Sequence, residues 1–168
     1  MSAPTSGGTL QNGGANYAED ADLDLVIGDV VSQIIGMDRD LCRRRWQQSP
    51  PLQPDRDTDW CAVGVTSIEP DQNVAAELVG EVYTVHLHET VDVLLSFYGL
   101  NATQNAMTFK VGIALGINRG ILNDNGLAFL RVSEVRRIPA TTHQLTLMRT
   151  DVSVQYRSHE TRPYPIPS

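Results

Sequence analysis

The sequence is poor in several features, and each shortage removes a class of protein. Its 168 residues contain only two cysteines and no CxxC pair, so neither a disulfide framework nor a cysteine-ligated zinc site is expected. No apolar run approaches the roughly 18 residues that a membrane-spanning helix requires, and we expect no membrane partner. The GxxxxGK[ST] and GxGxxG motifs of nucleotide-binding loops are missing, and we expect no cofactor.

Positive charge is also scarce. The chain has 13 basic and 20 acidic residues, for a formal net charge of −7, and Lys110 is the only lysine. Nucleic-acid-binding domains usually carry a basic surface, which this balance disfavours. Arginine, which supplies the other basic side chains, suits planar bidentate contacts at protein interfaces. The composition therefore favours a protein that binds other proteins.

Composition divides the chain into three parts. Residues 1–18 are rich in Gly, Ser, Asn and Thr, and such a segment buries too little apolar surface to order itself, so it is predicted to be a flexible N-terminal arm. Residues 19–158 are predicted to form one domain, since 41% hydrophobic and 20% charged residues are typical of a globular chain. Residues 159–168 are predicted to form an extended C-terminal tail.

Apolar residues at helical spacing predict two main helices. The first covers residues 23–35, with Asp20 or Asp22 as its N-cap and Gly36 as its stop. The second begins after Asn101, which is predicted to cap it together with the glutamine three residues on.

Alternation of apolar and polar residues predicts strands and one bulge. The predicted strands are 59–68, 79–87, 91–98, 127–135 and 143–156. Residues 69–78 are predicted to be a turn and connection. In the last strand the apolar positions change parity between Leu147 and Val152, which predicts a β-bulge near 148–151. The element order predicts an α+β fold, a single domain with a mostly antiparallel, possibly mixed, β-sheet packed with two main helices.

Two histidines are the sharpest candidates for chemistry. His86 and His88 point to the same face of a predicted strand, so both imidazoles could meet one metal, with a third ligand from His143 or a carboxylate. This arrangement is common on the polar face of a sheet, and we predict neither a metal site nor a catalytic residue. A small metal-dependent enzyme, or a ligand-binding β domain, remains the alternative hypothesis from another class.

A cluster of arginines beside a tryptophan is the candidate protein-binding segment. Neighbouring aspartates and the acidic balance of the chain favour ion pairs between subunits over contacts to phosphates. Trp46 is predicted to lie at the interface and Trp60 in the core, since large aromatic side chains serve both. The predicted interface residues are Arg43, Arg44, Arg45, Trp46, Gln47, Pro50 and Pro51. The predicted structural motif is Trp60, Tyr98, Gly99 and Asn101, in which Tyr98 and Gly99 fix the turn from strand to helix.

Several short motifs, in order, resemble the tail-terminator or neck-terminator proteins of tailed bacteriophages. They cover about residues 20–158, and their order and spacing carry the resemblance. The motifs are Arg45-Trp46-Gln47 with Pro50-Pro51 and Pro54, Trp60–Val65, His88-Glu89-Thr90, Val93–Gly99, Asn101-Ala102 and Val154–Arg157.

The resemblance implies a non-enzymatic virion protein, found in the tail or neck and assembled in the host cytoplasm. It implies a hexameric ring that caps the tail tube, stops tube polymerisation and joins the tail to the head connector. The implied partners are other copies of the chain, the tail tube protein, a head-side connector or stopper protein, and a sheath protein if the tail is contractile. DNA would pass through the lumen without specific binding. Another head-to-tail connector or completion protein of the neck is the alternative within this class.

Overall fold

The structure is a computed structural model that describes residues 20–142 and 145–166. The predicted N-terminal arm, residues 1–18, lies outside the described residues. Helix α1 (Asp20–Ile35) and helix α2 (Ala102–Ala114) confirm the two predicted helices, and a short α3 (Gly120–Asp124) follows them. Gly36 ends α1 as predicted, because its φ of 72° is a left-handed conformation that favours glycine. Within the described part of the chain, no helix is both long and apolar enough to cross a membrane.

Seven strands form one mixed sheet. Their order is β1-β2-β4-β7-β5, while β3 pairs with β4 and β6 pairs with β7 beside this path. Of the strand pairs in the described part of the chain, only β1–β2 is parallel. The α+β class and the mixed sheet agree with the prediction. The strands are β1 (Cys42–Arg44), β2 (Trp60–Pro70), β3 (Ala75–Val79), β4 (Val82–Tyr98), β5 (Leu127–Val132), β6 (Arg136–Thr142) and β7 (Leu145–Pro165).

The core lies between the helices and one face of the sheet. Strand β4 contributes its odd-numbered residues from Val91 to Phe97, and β7 contributes Val152, Val154 and Tyr156, all between 0% and 1% exposed. The helices close over them with side chains such as Phe109. Each such large apolar side chain contributes about 1.5–3 kcal/mol when fully buried, so this layer holds the domain together.

Strand boundaries differ from the prediction in three places. Residues 69–78 are not only a connection, because β3 begins at Ala75. The predicted strands 79–87 and 91–98 are one continuous strand, β4. Residues 136–142 form β6, which the alternation does not predict. In β3 all five residues are exposed, so no buried face marks it as a strand.

The bulge predicted near 148–151 is wrong. Strand β7 pairs with β4 without any register shift from Pro165 back to Thr150, and it continues in register against β6. The register shifts lie instead in β2 between Val65 and Ser67, and in β5 at Phe129. Leu147 differs in parity from the core positions because it lies on the face opposite the helices.

Strand β7 also runs past the predicted end of the domain. The predicted tail, 159–168, begins inside β7, and residues 159–165 pair with β4 as part of the sheet. The extended conformation is therefore a strand, paired within the same chain.

Candidate subunit interface

The arginine segment begins as the outermost strand of the sheet. Among the described residues, strand β1 pairs only with β2, which places Arg44 beside Val63. The N–H of Arg45 donates to the Val63 carbonyl at 2.7 Å. The chain then leaves the sheet in an exposed loop that contains Pro50 and Pro51. This part of the predicted interface is therefore at a sheet edge, where a neighbouring molecule can reach it.

Two arginines of this edge have no carboxylate partner in the part of the chain that the structure describes. The Arg43 guanidinium donates only to backbone carbonyls, those of Asp40 at 3.2 Å and Leu52 at 2.7 Å. Arg44 has no hydrogen bond or ion pair from its side chain among the described residues. Its carbonyl oxygen accepts a bond from Gln47 Nε2 at 2.9 Å, which fixes the turn after β1. Both arginines are half-buried, and no carboxylate among the described residues neutralises either charge.

Apolar side chains accompany these charges. Trp46 is 58% exposed and Leu52 is 92% exposed. The indole of Trp46 lies over Gly64, with its Cζ3 atom 2.8 Å from the position that a Cβ on this glycine would occupy. An exposed aromatic ring beside arginines is typical of residues that dominate protein interfaces. We call Arg43, Arg44, Trp46 and Leu52 the arginine edge.

Arg45 has a different environment from its two neighbours. Its guanidinium donates to the buried hydroxyl of Ser96, which donates to Asp151 Oδ1 at 2.7 Å. Arg149 donates to both carboxylate oxygens of Asp151 at 3.0 Å, and this carboxylate raises the pKa of Arg149 above its ordinary value. Arg45 therefore links the end of β1 to β4 and β7 through hydrogen bonds within one chain. The sequence pattern gives no signal for Ser96 or Asp151, because these residues are 55 positions apart and meet only when β4 and β7 pair.

The predicted structural residues meet at the end of β4. Trp60 is only half-buried, so its prediction as a core residue is wrong; it stacks on Tyr98 with ring centroids 4.3 Å apart. Gly99 has a φ of 100°, and a Cβ there would lie 2.6 Å from the Asp59 Cα atom. A glycine is therefore required where β4 turns into α2.

Asn101 occupies the N-cap position of α2, but its side chain makes no capping hydrogen bond to that helix. Its backbone N–H and its side-chain amide instead donate to the two carboxylate oxygens of Asp59, both at 2.9 Å. Asp59 is a further residue that the sequence does not reveal, because a contact across 42 positions has no local pattern.

The described histidines lie close together on the face of the sheet opposite the helices, but their geometry does not suit a metal ion. His86 Nδ1 lies 3.2 Å from His159 Nε2, and His88 stacks on His159 with centroids 4.6 Å apart. His86 Nε2 also lies 3.5 Å from a Glu77 oxygen. Among residues 20–142 and 145–166, no group of three histidine, cysteine, aspartate or glutamate side chains could hold a metal ion. The third ligand suggested by sequence, His143, lies outside the described residues.

The two cysteines are buried and free. Burial raises the pKa of the Cys42 thiol to about 11 and that of Cys61 well above its ordinary value. Such thiols carry little thiolate at neutral pH, and thiolate is the reactive form. Cys61, at 0% exposure, packs as a small side chain within the apolar core.

Comparison with known proteins identifies the family. A search of curated proteins found no match. A family model described as phage neck terminator protein matches residues 22–168, which includes the sheet, the helices and the arginine edge. Because this match spans most of the chain, the protein belongs to the phage neck terminator protein family.

Proposed function

We propose that this chain, a structural protein of the phage neck, forms a hexameric ring on the end of the tail tube. There it stops tube polymerisation and presents the surface that joins the tail to the head connector. Membership of the neck terminator family supports this role. Of the chain's own features, the arginine edge carries the proposal, because two unneutralised arginines beside an exposed tryptophan and leucine need a partner surface.

The proposed partners follow from this position in the particle. They are neighbouring copies of the chain, the tail tube protein, a head-side connector or stopper protein, and a sheath protein if the tail is contractile. DNA would cross the lumen without specific binding, since a net charge of −7 repels phosphates overall. Assembly would take place in the host cytoplasm, and the protein would act without catalysis.

Electron microscopy of particles lacking this protein tests the role. If it terminates the tube, phages without it should produce tails of irregular, extended length that fail to join heads, and adding purified protein should cap growing tubes. Density for the wild-type protein should form a ring between tube and head connector. Tails of normal length that carry heads, in its absence, would contradict the role. A location on the head side, away from the tube, would instead favour another connector protein of the neck.

A further inference from the structure

The sheet extends beyond the helices as a three-stranded projection. It consists of β3, the Val82–Glu89 part of β4 and the Ser158–Pro165 part of β7, and we call it the sheet extension. Residues 75–88, all of them described, include no buried residue. Strands β4 and β7 continue into it directly from the core, and their pairing has no register shift along its length. The extension is therefore a paired continuation of the sheet rather than a loop.

The tip of the extension is acidic and partly apolar. The Glu77 side chain is 63% exposed, and Glu81 in the β3–β4 turn is exposed with no side-chain partner in the described part of the chain. Val79 between them is 62% exposed. Within the extension, Arg162 lies 3.4 Å from Glu160 and His86 Nε2 lies 3.5 Å from a Glu77 oxygen. Arg157, just before the extension, pairs with Asp71. Carboxylates and an apolar side chain at this tip form the chemical complement of the arginine edge.

The two edges of the extension are unlike. Among the described residues, no strand covers the outer edge of β7 from 159 to 165, and Pro163 and Pro165 remove two backbone donors there. The edge of β3 has no proline, and it exposes Leu78 and Val79. Exposed apolar edge strands without such protection are normally covered by a partner. We therefore expect a partner to cover the β3 edge and the tip, and to leave the proline-protected β7 edge exposed.

The extension cannot reach the arginine edge of its own chain. Arg44 pairs with Val63 of β2, which pairs in turn with Leu95 of β4. The tip begins at Val82, which lies 13 residues from Leu95 along β4. At about 3.3 Å per residue this separation is roughly 40 Å along a sheet. A contact between the two surfaces must therefore join two molecules. Since the surfaces differ, the contact is head-to-tail, and this is the kind that can close into a ring.

We propose that the tip of the sheet extension of one protomer, with Glu77, Val79 and Glu81, docks on the arginine edge of the next protomer in the ring. The carboxylates face Arg43 and Arg44, and Val79 packs against Trp46. This inference rests on the proposed function, since it names the partner of the arginine edge within the proposed ring.

Charge reversal tests the contact. Arg44→Glu and Glu81→Arg each place like charges opposite one another and should lower the fraction of tail tubes carrying a ring by at least about tenfold. The double variant restores opposite charges and should recover ring formation to within about twofold of the wild type. Asp124→Arg, an exposed carboxylate on α3 changed by the same charge, is the matched control and should form rings normally. Thermal unfolding of each variant confirms that it folds.

The possible results distinguish failure of the proposed subunit contact from failure of the proposed function. Normal rings from both single variants, failure of the double variant to recover, or an equal loss in the Asp124→Arg control would each overturn the contact while leaving the ring itself in place. If the wild type caps no tubes, the proposed function fails and the contact fails with it.

Disulfide trapping gives a second, independent measurement. Assembled rings of the Arg44→Cys/Glu81→Cys double variant should cross-link between subunits on mild oxidation, whereas each single variant should not. The buried native thiols do not compete. Assembled rings that yield no cross-linked subunits would overturn the contact.

Discussion

Strands β4 and β7 each pass through two environments. From Val91 to Phe97, β4 lies under the helices, and its inward side chains are at most 1% exposed. From Val82 to His88 the same strand, still paired to β7, has no buried residue. The pairing is equally regular in both halves, so backbone hydrogen bonding does not distinguish them. What differs is whether a second layer covers the sheet, and the uncovered half gives its side chains no core to fill.

This difference assigns separate tasks to the two halves. The covered half supplies the free energy that folds the chain, because it buries apolar area inside the molecule. The sheet extension contributes little to that free energy, and its exposed charges and apolar side chains are available to another subunit. Changes in the first half should unfold the protein, while changes in the second should leave it folded and alter assembly.

Truncation of a large side chain should lower the free energy of unfolding by very different amounts in the two halves, and this is the largest difference we expect. Phe97→Ala removes a fully buried ring that lies 6.4 Å from the Phe109 ring, and it should lower the free energy of unfolding by about 3–5 kcal/mol. Leu78→Ala, in the 53% exposed position on β3, should lower it by less than about 0.5 kcal/mol. Urea denaturation measures both free energies. Similar decreases at the two sites would contradict the separate tasks assigned to the two halves.

Removing the charge of a carboxylate should destabilise the covered half of the sheet but not the extension. Asp151→Ala leaves Arg149 without its partner and should cost about 2–3 kcal/mol, somewhat below the usual range for a buried pair because the Arg149 side chain is 28% exposed. In the extension, burial and then the nearby Glu89 raise the pKa of Glu160.

A carboxyl group whose pKa is higher in the folded than in the unfolded state stabilises the fold below the unfolded value, and this stabilisation is lost as pH rises through the folded value. Near pH 7, Glu160→Gln should therefore leave stability unchanged or slightly higher, and it should flatten the dependence of stability on pH in the acidic range. Denaturation at pH 4 and pH 7 measures both effects. A loss for Glu160→Gln equal to that for Asp151→Ala would contradict the assignment.

The turn that ends the covered half of β4 should show a smaller effect. Gly99→Ala forces an alanine into a φ of 100° against the Asp59 backbone and should cost about 1–2 kcal/mol. Gly116→Ala is the control, because a Cβ there meets nothing within 4 Å. Comparison of the two thermal midpoints checks this, and equal midpoints would show that the turn tolerates a side chain.

Thiol labelling compares the halves without disturbing the fold. With a pKa of about 11, Cys42 should react about 100-fold more slowly at pH 8 than an ordinary thiol with a pKa near 9. A cysteine introduced at exposed Leu78 should react at the ordinary rate. Rapid labelling of Cys42 in the folded protein would show that the covered half opens readily.

The same contrast explains which parts of the fold could be predicted from sequence. Helix α1, with its apolar spacing and Gly36, and the buried stretch of β4 were predictable because one face of each is filled with apolar residues. Strand β3 was not, because both of its faces are exposed. Leu147 misled the prediction of a bulge, since it lies on the face opposite the helices and has no bearing on the core pattern.

The candidate site was predictable only in part. A run of arginines beside Trp46 indicates an interface, but the pattern cannot separate Arg45, which binds Ser96 inside the chain, from Arg44, whose side chain has no hydrogen bond or ion pair among the described residues. Asp59 and Asp151 were missed because their partners are distant in sequence and their roles appear only when the sheet is assembled. The sheet extension was missed because β4 was predicted as two short strands on either side of His88 and Glu89, and the end of β7 was predicted as a tail.

A cryo-EM reconstruction of the tube end would show whether a neighbouring subunit covers the uncovered half of the sheet. We expect a closed ring in which Glu77 and Glu81 of each subunit lie within ion-pair distance of Arg43 and Arg44 of the next. A ring whose extensions stand free in solvent, with the arginine edge against a different protein, would contradict this expectation.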